Sequence, residues 1–89
     1  MTPIYNISMK TTKTQIIDKR LGQNISRIRK ANGLSQQDME KYYGISRAYL
    51  GKAEKGEHSL SVDKLADIAN AFGILITDLF FDENGEPIG

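Results

Sequence analysis

The sequence predicts an all-α domain built from five short helices. Apolar residues recur at helical spacing, as Leu21, Ile25 and Ile28 do, and again from Val62 to Phe72. Glycines follow these segments at positions typical of helix ends. No segment alternates apolar and polar residues as a half-buried strand does. A helical bundle is therefore the simplest architecture for the chain.

Start and stop signals give each helix its expected bounds. The first helix is expected from about Asp18 to Asn32-Gly33. Ser35 and Asp38 form a capping-box pattern ahead of the second helix. The other expected N-caps are Ser46, Ser61 and Thr77, and the other expected stops are Gly44, Gly56 and Gly73.

The 89 residues are expected to form one domain with two irregular ends. Residues 1–17 would be an N-terminal arm, 18–82 the folded domain, and 83–89 a flexible acidic tail without core residues. Lysines of the arm, such as Lys10, would follow the backbone or enter a groove of a polyanionic partner, or only add general attraction to it.

Composition excludes several classes of protein. There is no cysteine and only one histidine, His58, so neither a thiolate metal site nor a cofactor is expected. The sequence has no glycine-rich phosphate loop and no carboxylate cluster of the kind that catalysis needs, so the protein is not expected to be an enzyme. No apolar run is long enough for a membrane span. A cytoplasmic protein is expected.

Charge is unevenly distributed along the chain. Residues 1–58 hold eleven Lys and Arg against five Asp and Glu, whereas residues 59–89 hold one Lys against six acids. Such a split suits a polyanion-binding face at one side of the molecule, although chance segregation of solvated charge gives the same totals.

The second and third helices form the most informative pair. They are short and joined by a tight turn that contains Gly44, which is the arrangement of a helix-turn-helix. The third segment reads SRAYLGKAEKG and places Gly51 in a helix interior, which costs about 1 kcal/mol relative to alanine.

The wider register resembles the Cro and phage-repressor (XRE-type) helix-turn-helix family over residues 18–81. The resemblance rests on LGQNISRIRKANGLSQQD, the glycine turn, SRAYLGKAEKG, SLSVDKLADIANAFGI and TDLF. It implies a five-helix, lambda-repressor-like DNA-binding domain in a nucleoid-associated protein encoded by a bacterium or a phage. Arg47, Tyr49 and Leu50, followed by Glu54 and Gly56, are most similar to the controller proteins of restriction–modification systems.

The resemblance also implies roles for individual residues. The expected base contacts are Arg47, Ala48, Tyr49, Gly51 and Lys52, and the expected phosphate contacts are Gln36, Ser46 and Lys55. Ala48 and Gly51 would leave a low strip for close approach to bases, flanked by the cations Arg47 and Lys52. A solvated helix face without a DNA role is the alternative.

Two further roles follow from the same resemblance. Arg29 and Glu54 would form a buried structural ion pair between the first and third helices. Asp38 and Glu40 are candidate contacts for RNA polymerase, although Asp38 also fits a capping role.

Two positions depart from the family pattern. Glu40 stands where alanine is usual, and Ala53 stands where a large apolar residue is usual. Tyr42 or Tyr43 is expected to fill the space beside Ala53.

The C-terminal end predicts self-association. Leu75, Ile76 and Phe81 are expected at a homodimer interface, because Leu75 and Phe81 fall where polar residues or proline are usual. Coverage of this patch by the tail, or by Ile4 and Tyr5 of the arm, is the alternative. A dimer would place two third helices about one DNA turn apart, ~34 Å.

The sequence therefore predicts a transcriptional regulator that binds double-stranded DNA at pseudo-palindromic operators. An antitoxin of the same fold, or a protein-interaction module that no longer binds DNA, is the alternative. Salt-dependent DNA binding separates these alternatives, since phosphate-driven association weakens as salt rises.

Overall fold

Helices account for about two-thirds of the residues that the structure describes. The computed structural model describes residues 12–89, with side chains described from residue 14 onward. The elements are α1 (Thr12–Ala31), α2 (Gln36–Tyr43), α3 (Arg47–Glu54), α4 (Val62–Phe72) and a C-terminal 3-10 helix (Ile76–Phe80). Within the described part, the only strand-like feature is one bridge between Phe81 and Pro87. The predicted all-α class is confirmed, with a 3-10 helix in place of the fifth α-helix.

The caps explain where α2, α3 and α4 begin. The Ser35 hydroxyl accepts the Asp38 N–H, and the Asp38 carboxylate accepts the Ser35 N–H, which completes the predicted capping box. The hydroxyls of Ser46 and Ser61 cap α3 and α4. The predicted stops Gly44, Gly56 and Gly73 have left-handed φ values of 68°, 77° and 70°.

The cap predicted for Thr77 is wrong. The 3-10 helix starts two residues earlier than predicted, with Leu75 at the cap position, and the Asp78 carboxylate accepts the N–H of Leu75 at 2.9 Å. The aspartate three residues after Leu75 supplies the acceptor that the Leu75 side chain lacks.

The first helix is longer than predicted, because it begins at Thr12 and not at Asp18. Residues 12–17 therefore do not belong to an irregular arm. The loop after α3 packs on α1 directly after this extension: Ser59 donates to the Asp18 carboxylate at 3.0 Å, and a Cβ on Gly56 would lie 2.7 Å from the Cα of Lys19. The arm contact expected of Lys10 lies outside the described residues.

One core joins all the helices. Its fully buried large side chains are Ile25, Met39, Ile45, Leu50, Ile68 and Leu79. Tyr42 and Tyr43 are exposed, so the prediction that one of them packs beside Ala53 is wrong. Close approach of α1 takes up that space instead, since a Cβ on Gly22 would overlap the carbonyl oxygen of Ala53.

The C-terminal tail is part of the fold, contrary to the prediction for residues 83–89. Ile88 is 2% exposed and belongs to the core. Its N–H donates to the Phe80 carbonyl, and its own carbonyl accepts from the Arg20 guanidinium, both at 2.9 Å. A turn closed by Asp82, whose carboxylate accepts two backbone N–H groups, directs Ile88 back into the core.

Candidate nucleic-acid interface

Helix α3 has one buried face and one open face. Leu50 and Ala53 are buried in the core. Arg47, Ala48, Lys52 and Lys55 are exposed and Gly51 is half-exposed, and together these five residues are called the outer face of α3. The outer face carries three cations and no acid. The structure therefore brings most of the predicted base-contacting residues onto one accessible surface.

Gly51 creates a shallow depression in the middle of the outer face, because it has no side chain. Its backbone is ordinary helix, since its φ is not positive. A Cβ at this position would meet only the amide group of Gln36, at 3.7–3.8 Å, which is ordinary contact. Neither backbone geometry nor packing therefore requires glycine here. The effect of the glycine is on the shape of the exposed surface, where no side chain projects.

Tyr49 lies at the edge of this surface and not within it. Its ring stacks on the His58 ring with 5.4 Å between centroids, and the Lys64 ammonium lies 5.5 Å from the ring centroid. Partial burial raises the pKa of Tyr49 above its ordinary value of 10.0, and the phenol, which is protonated at neutral pH in either case, can donate a hydrogen bond. The expected base contact of Tyr49 would have to come from this edge.

The C-terminal end of α3 is tied to α1 by the predicted ion pair. Arg29 donates to both oxygens of Glu54, at 2.7 and 3.0 Å, and both side chains are less than one-tenth exposed. Arg29 also donates to the Leu34 carbonyl at 2.7 Å. This bidentate geometry fixes α3 relative to α1 and to the turn before α2.

Gln36 extends the same network to α2. Its amide nitrogen donates to the Glu54 carboxylate at 3.0 Å, and the side chain is half-buried. One amide hydrogen is thus committed to Glu54, and the second remains for the phosphate contact expected at this position. Gln36 therefore holds α3 in addition to any role toward DNA.

The N-terminal end of α3 has two hydrogen-bonded caps. The Ser46 hydroxyl accepts the Tyr49 N–H at 3.3 Å, so the residue expected to contact phosphate is used as a cap. The Glu40 carboxylate accepts the Arg47 N–H at 3.0 Å. The departure from the family pattern at Glu40 thus leaves the side chain exposed over the start of α3, where it does not disturb the packing.

The candidate dimer surface lies at the other end of the molecule. Leu75 is 70% exposed and Phe81 is 42% exposed, as predicted, whereas Ile76 is half-buried against the core. The tail pairs with Phe81 through the bridge to Pro87 and still leaves much of the ring open. Buried Asn24 supports this end by donating to the carbonyls of Leu79 and Phe81, both at 2.9 Å.

Sequence reasoning missed three residues that position these surfaces. They are Gly22 at the α1–α3 contact, Asn24 beneath the 3-10 helix, and Glu40 as a cap for α3. A signal existed for Gly22, because glycine between Leu21 and Asn24 interrupts a helical pattern much as Gly51 does. For Asn24 and Glu40, the partner is far away in sequence or on another helix, and no local pattern reveals it.

The described residues contain neither a cluster that could bind a metal ion nor a helix that could span a membrane. Among residues 12–89, no three His, Asp or Glu side chains lie together in a way that could hold a metal ion. In the same part of the chain, no helix combines the length and the apolar character that crossing a bilayer requires.

A short helix pair joined by a tight turn, with an exposed, cationic second helix, is the arrangement of a helix-turn-helix. Residues 25–79 match the family described as helix-turn-helix (HTH_3), which is more than half of the chain. The chain belongs to this XRE-type family of DNA-binding transcription regulators, a non-enzymatic kind of protein.

Two relatives show similarity along most of the chain. An uncharacterized HTH-type transcriptional regulator of Sinorhizobium fredii, y4dJ, is 32% identical over 71 residues, covering 80% of this chain and 92% of the relative. The uncharacterized HTH-type transcriptional regulator MJ0272 of Methanocaldococcus jannaschii is 36% identical over 58 residues, covering 65% of this chain and 88% of the relative.

Two solved structures are similar in fold. The restriction–modification controller protein C.AhdI of Aeromonas hydrophila has a TM-score of 0.66 and 32% identity, covering 70% of this chain and 94% of that one. The DNA-binding domain of BldD from S. venezulae has a TM-score of 0.66 and 28% identity, covering 71% of this chain and 94% of that one. The predicted family resemblance is confirmed.

Proposed function

We propose that this protein is a sequence-specific transcriptional regulator that binds pseudo-palindromic operator DNA as a homodimer in the cytoplasm. The observation that carries the proposal is the outer face of α3, which is exposed, low at Ala48 and Gly51, and flanked by cations. A major groove admits such a helix, and its N-terminal residues then reach the base edges.

The proposed contacts divide into base readout and backbone positioning. Arg47 donates bidentately to guanine, Lys52 reaches similar acceptors, and Ala48 lies against a thymine methyl group. Lys55, next to the last turn of α3, and the free amide hydrogen of Gln36 bind phosphate oxygens. Tyr49 contacts DNA from the edge of the helix.

Dimerisation is proposed through Leu75 and Phe81, with Ile76 beneath them. An exposed leucine and phenylalanine on one short segment form an apolar surface that a second copy of the chain can cover. Two-fold symmetry would then pair two α3 helices with two half-sites.

A controller of a restriction–modification system is the particular role that we favour. Its support is the similarity to C.AhdI, at 32% identity over 70% of this chain. Contact with RNA polymerase through Asp38 and Glu40 is a secondary proposal: each carboxylate accepts one backbone N–H and has further acceptor positions for a partner.

Selection of bound sequences from a random DNA pool, followed by titration of the selected duplex at several salt concentrations, tests the proposal. We expect a pseudo-palindromic site, and an affinity that falls steeply with salt, by about 0.9 log units per neutralised phosphate for each log unit of salt. No enrichment over the starting pool, or binding that is insensitive to salt, would contradict it.

A further inference from the structure

Glu40 accepts a hydrogen bond at each end of the turn between α2 and α3. Its backbone carbonyl accepts the Gly44 N–H at 3.1 Å, where α2 ends. Its carboxylate accepts the Arg47 N–H at 3.0 Å, where α3 begins. Glu40 therefore contacts both the end of α2 and the start of α3, beside the Gly44 stop and the Ser46 cap.

Helix α3 depends on such ties because it is intrinsically weak. It has only eight residues and contains Gly51, whereas isolated helices shorter than about 12–15 residues are marginal in water. Its C-terminal end is fixed by Glu54 to Arg29. At its N-terminal end, the Ser46 cap is long at 3.3 Å, so the shorter bond from Glu40 is the stronger of the two ties.

The same end of α3 carries the residues that would read bases. Arg47 is both the donor to Glu40, through its backbone, and the leading candidate for base contact, through its side chain. Hydrogen-bonded readout of bases requires the side-chain donors of Arg47 to lie within about 0.5 Å of their productive position relative to the base edge.

We propose that Glu40 is a positioning residue for sequence readout: its hydrogen bond to the Arg47 N–H sets the angle at which α3 presents Arg47 and Ala48 to the major groove. This inference rests on the proposed DNA-binding function. The hydrogen bond, and not the negative charge, carries the effect, since a carboxylate beside a DNA-binding surface opposes association with phosphates.

Three variants separate the hydrogen bond from the charge. Glu40→Ala removes both, Glu40→Gln keeps an oxygen that can accept the Arg47 N–H, and Glu57→Ala removes an exposed acid just after α3. Each is titrated against the selected operator and against a random duplex of equal length, at a temperature where its circular dichroism matches that of the wild type.

We expect Glu40→Ala to weaken operator binding about 10-fold, equivalent to about 1.4 kcal/mol, with random-duplex binding unchanged or tighter. Glu40→Gln and Glu57→Ala should each keep an operator-to-random affinity ratio close to that of the wild type. This pattern assigns the effect to the hydrogen bond at the start of α3.

Two results would overturn the inference alone: a wild-type ratio in Glu40→Ala, or equal losses in Glu40→Ala and Glu40→Gln. A wild-type protein that does not distinguish the operator from random DNA would overturn the proposed function, and this inference with it.

Discussion

The two faces of α3 differ in how closely they are packed. Toward α1, its backbone lies so close that Gly22 has no room for a side chain, and Glu54 is fully paired with Arg29. Toward solvent, Arg47 and Lys52 are exposed, and a Cβ on Gly51 would meet only the end of a flexible side chain. One face thus fixes the helix in place, and the other is free to meet a ligand.

This difference shows that two mid-helix glycines in one small domain can have unrelated causes. Gly22 is required by backbone contact, whereas Gly51 is tolerated by the fold and shapes the exposed surface. Substitutions on the buried face should therefore change the free energy of unfolding, and substitutions on the outer face should change DNA affinity.

The largest expected effect on stability is that of Glu54→Ala. Removing the carboxylate leaves the Arg29 guanidinium buried without its partner, which costs about 3–5 kcal/mol. Urea unfolding followed by circular dichroism measures the loss. Glu57→Ala, an exposed acid nearby in sequence, should stay within about 0.5 kcal/mol of the wild type. A Glu54→Ala protein with unchanged stability but lost DNA affinity would show that Glu54 acts on DNA and not on the fold.

Gly22→Ala should also destabilise, by about 1–3 kcal/mol, because the added methyl group overlaps the Ala53 carbonyl and separates α1 from α3. Thermal unfolding of the variant and the wild type measures this loss of stability. An increase in stability, as alanine normally gives inside a helix, would mean that the two helices are not in backbone contact.

Gly51→Ala is the matched substitution on the other face, and we expect the opposite sign. The backbone there is already helical and the space is open, so alanine should stabilise the protein by up to about 1 kcal/mol. The same thermal unfolding experiment compares the two variants directly. Destabilisation by Gly51→Ala would remove the contrast between the two faces.

The smallest expected effect concerns the cap of α2, outside both faces. Hydrogen bonds from Ser35, its backbone N–H foremost, lower the pKa of Asp38 below its ordinary value of 3.8. A group whose pKa is lowered by folding stabilises the protein above its unfolded pKa and loses that contribution as the pH falls through its folded pKa. The melting temperature of Asp38→Asn should therefore fall less than that of the wild type on going from neutral pH to about pH 3. An equal fall in both proteins would show that the ionised cap contributes nothing.

The sequence predicted the features that depend on local chemistry. The serine caps, the glycine stops and most of the apolar face of α4 were predicted because cap geometry and helical period involve residues near each other in the chain. The exception is Val62, which the helical period places on that face and which is 72% exposed. The Arg29–Glu54 pair was predicted from the family resemblance, since nothing local connects these two residues.

Features set by tertiary packing were not predictable in this way. Ile88 follows an acidic turn and has no apolar neighbours in a periodic pattern, yet the turn at Asp82 returns it to the core. The space beside Ala53 is closed by the backbone of α1 and not by a tyrosine, because the absence of a side chain at Gly22 lets the helices approach. The departure from the family pattern at Glu40 is explained only by the structure, in which its carboxylate accepts the Arg47 N–H at the start of α3.

The central claim, that the outer face of α3 enters the major groove, is tested most directly by Gly51→Leu. We expect the fold to tolerate this change, because a Cβ here would contact only the flexible end of Gln36, at 3.7–3.8 Å, and leucine is a good helix former. A leucine in the low strip would hold the helix away from the bases. We predict an unchanged circular dichroism spectrum and a loss of discrimination between operator and random duplex. Operator binding with unchanged affinity and specificity would contradict the claim.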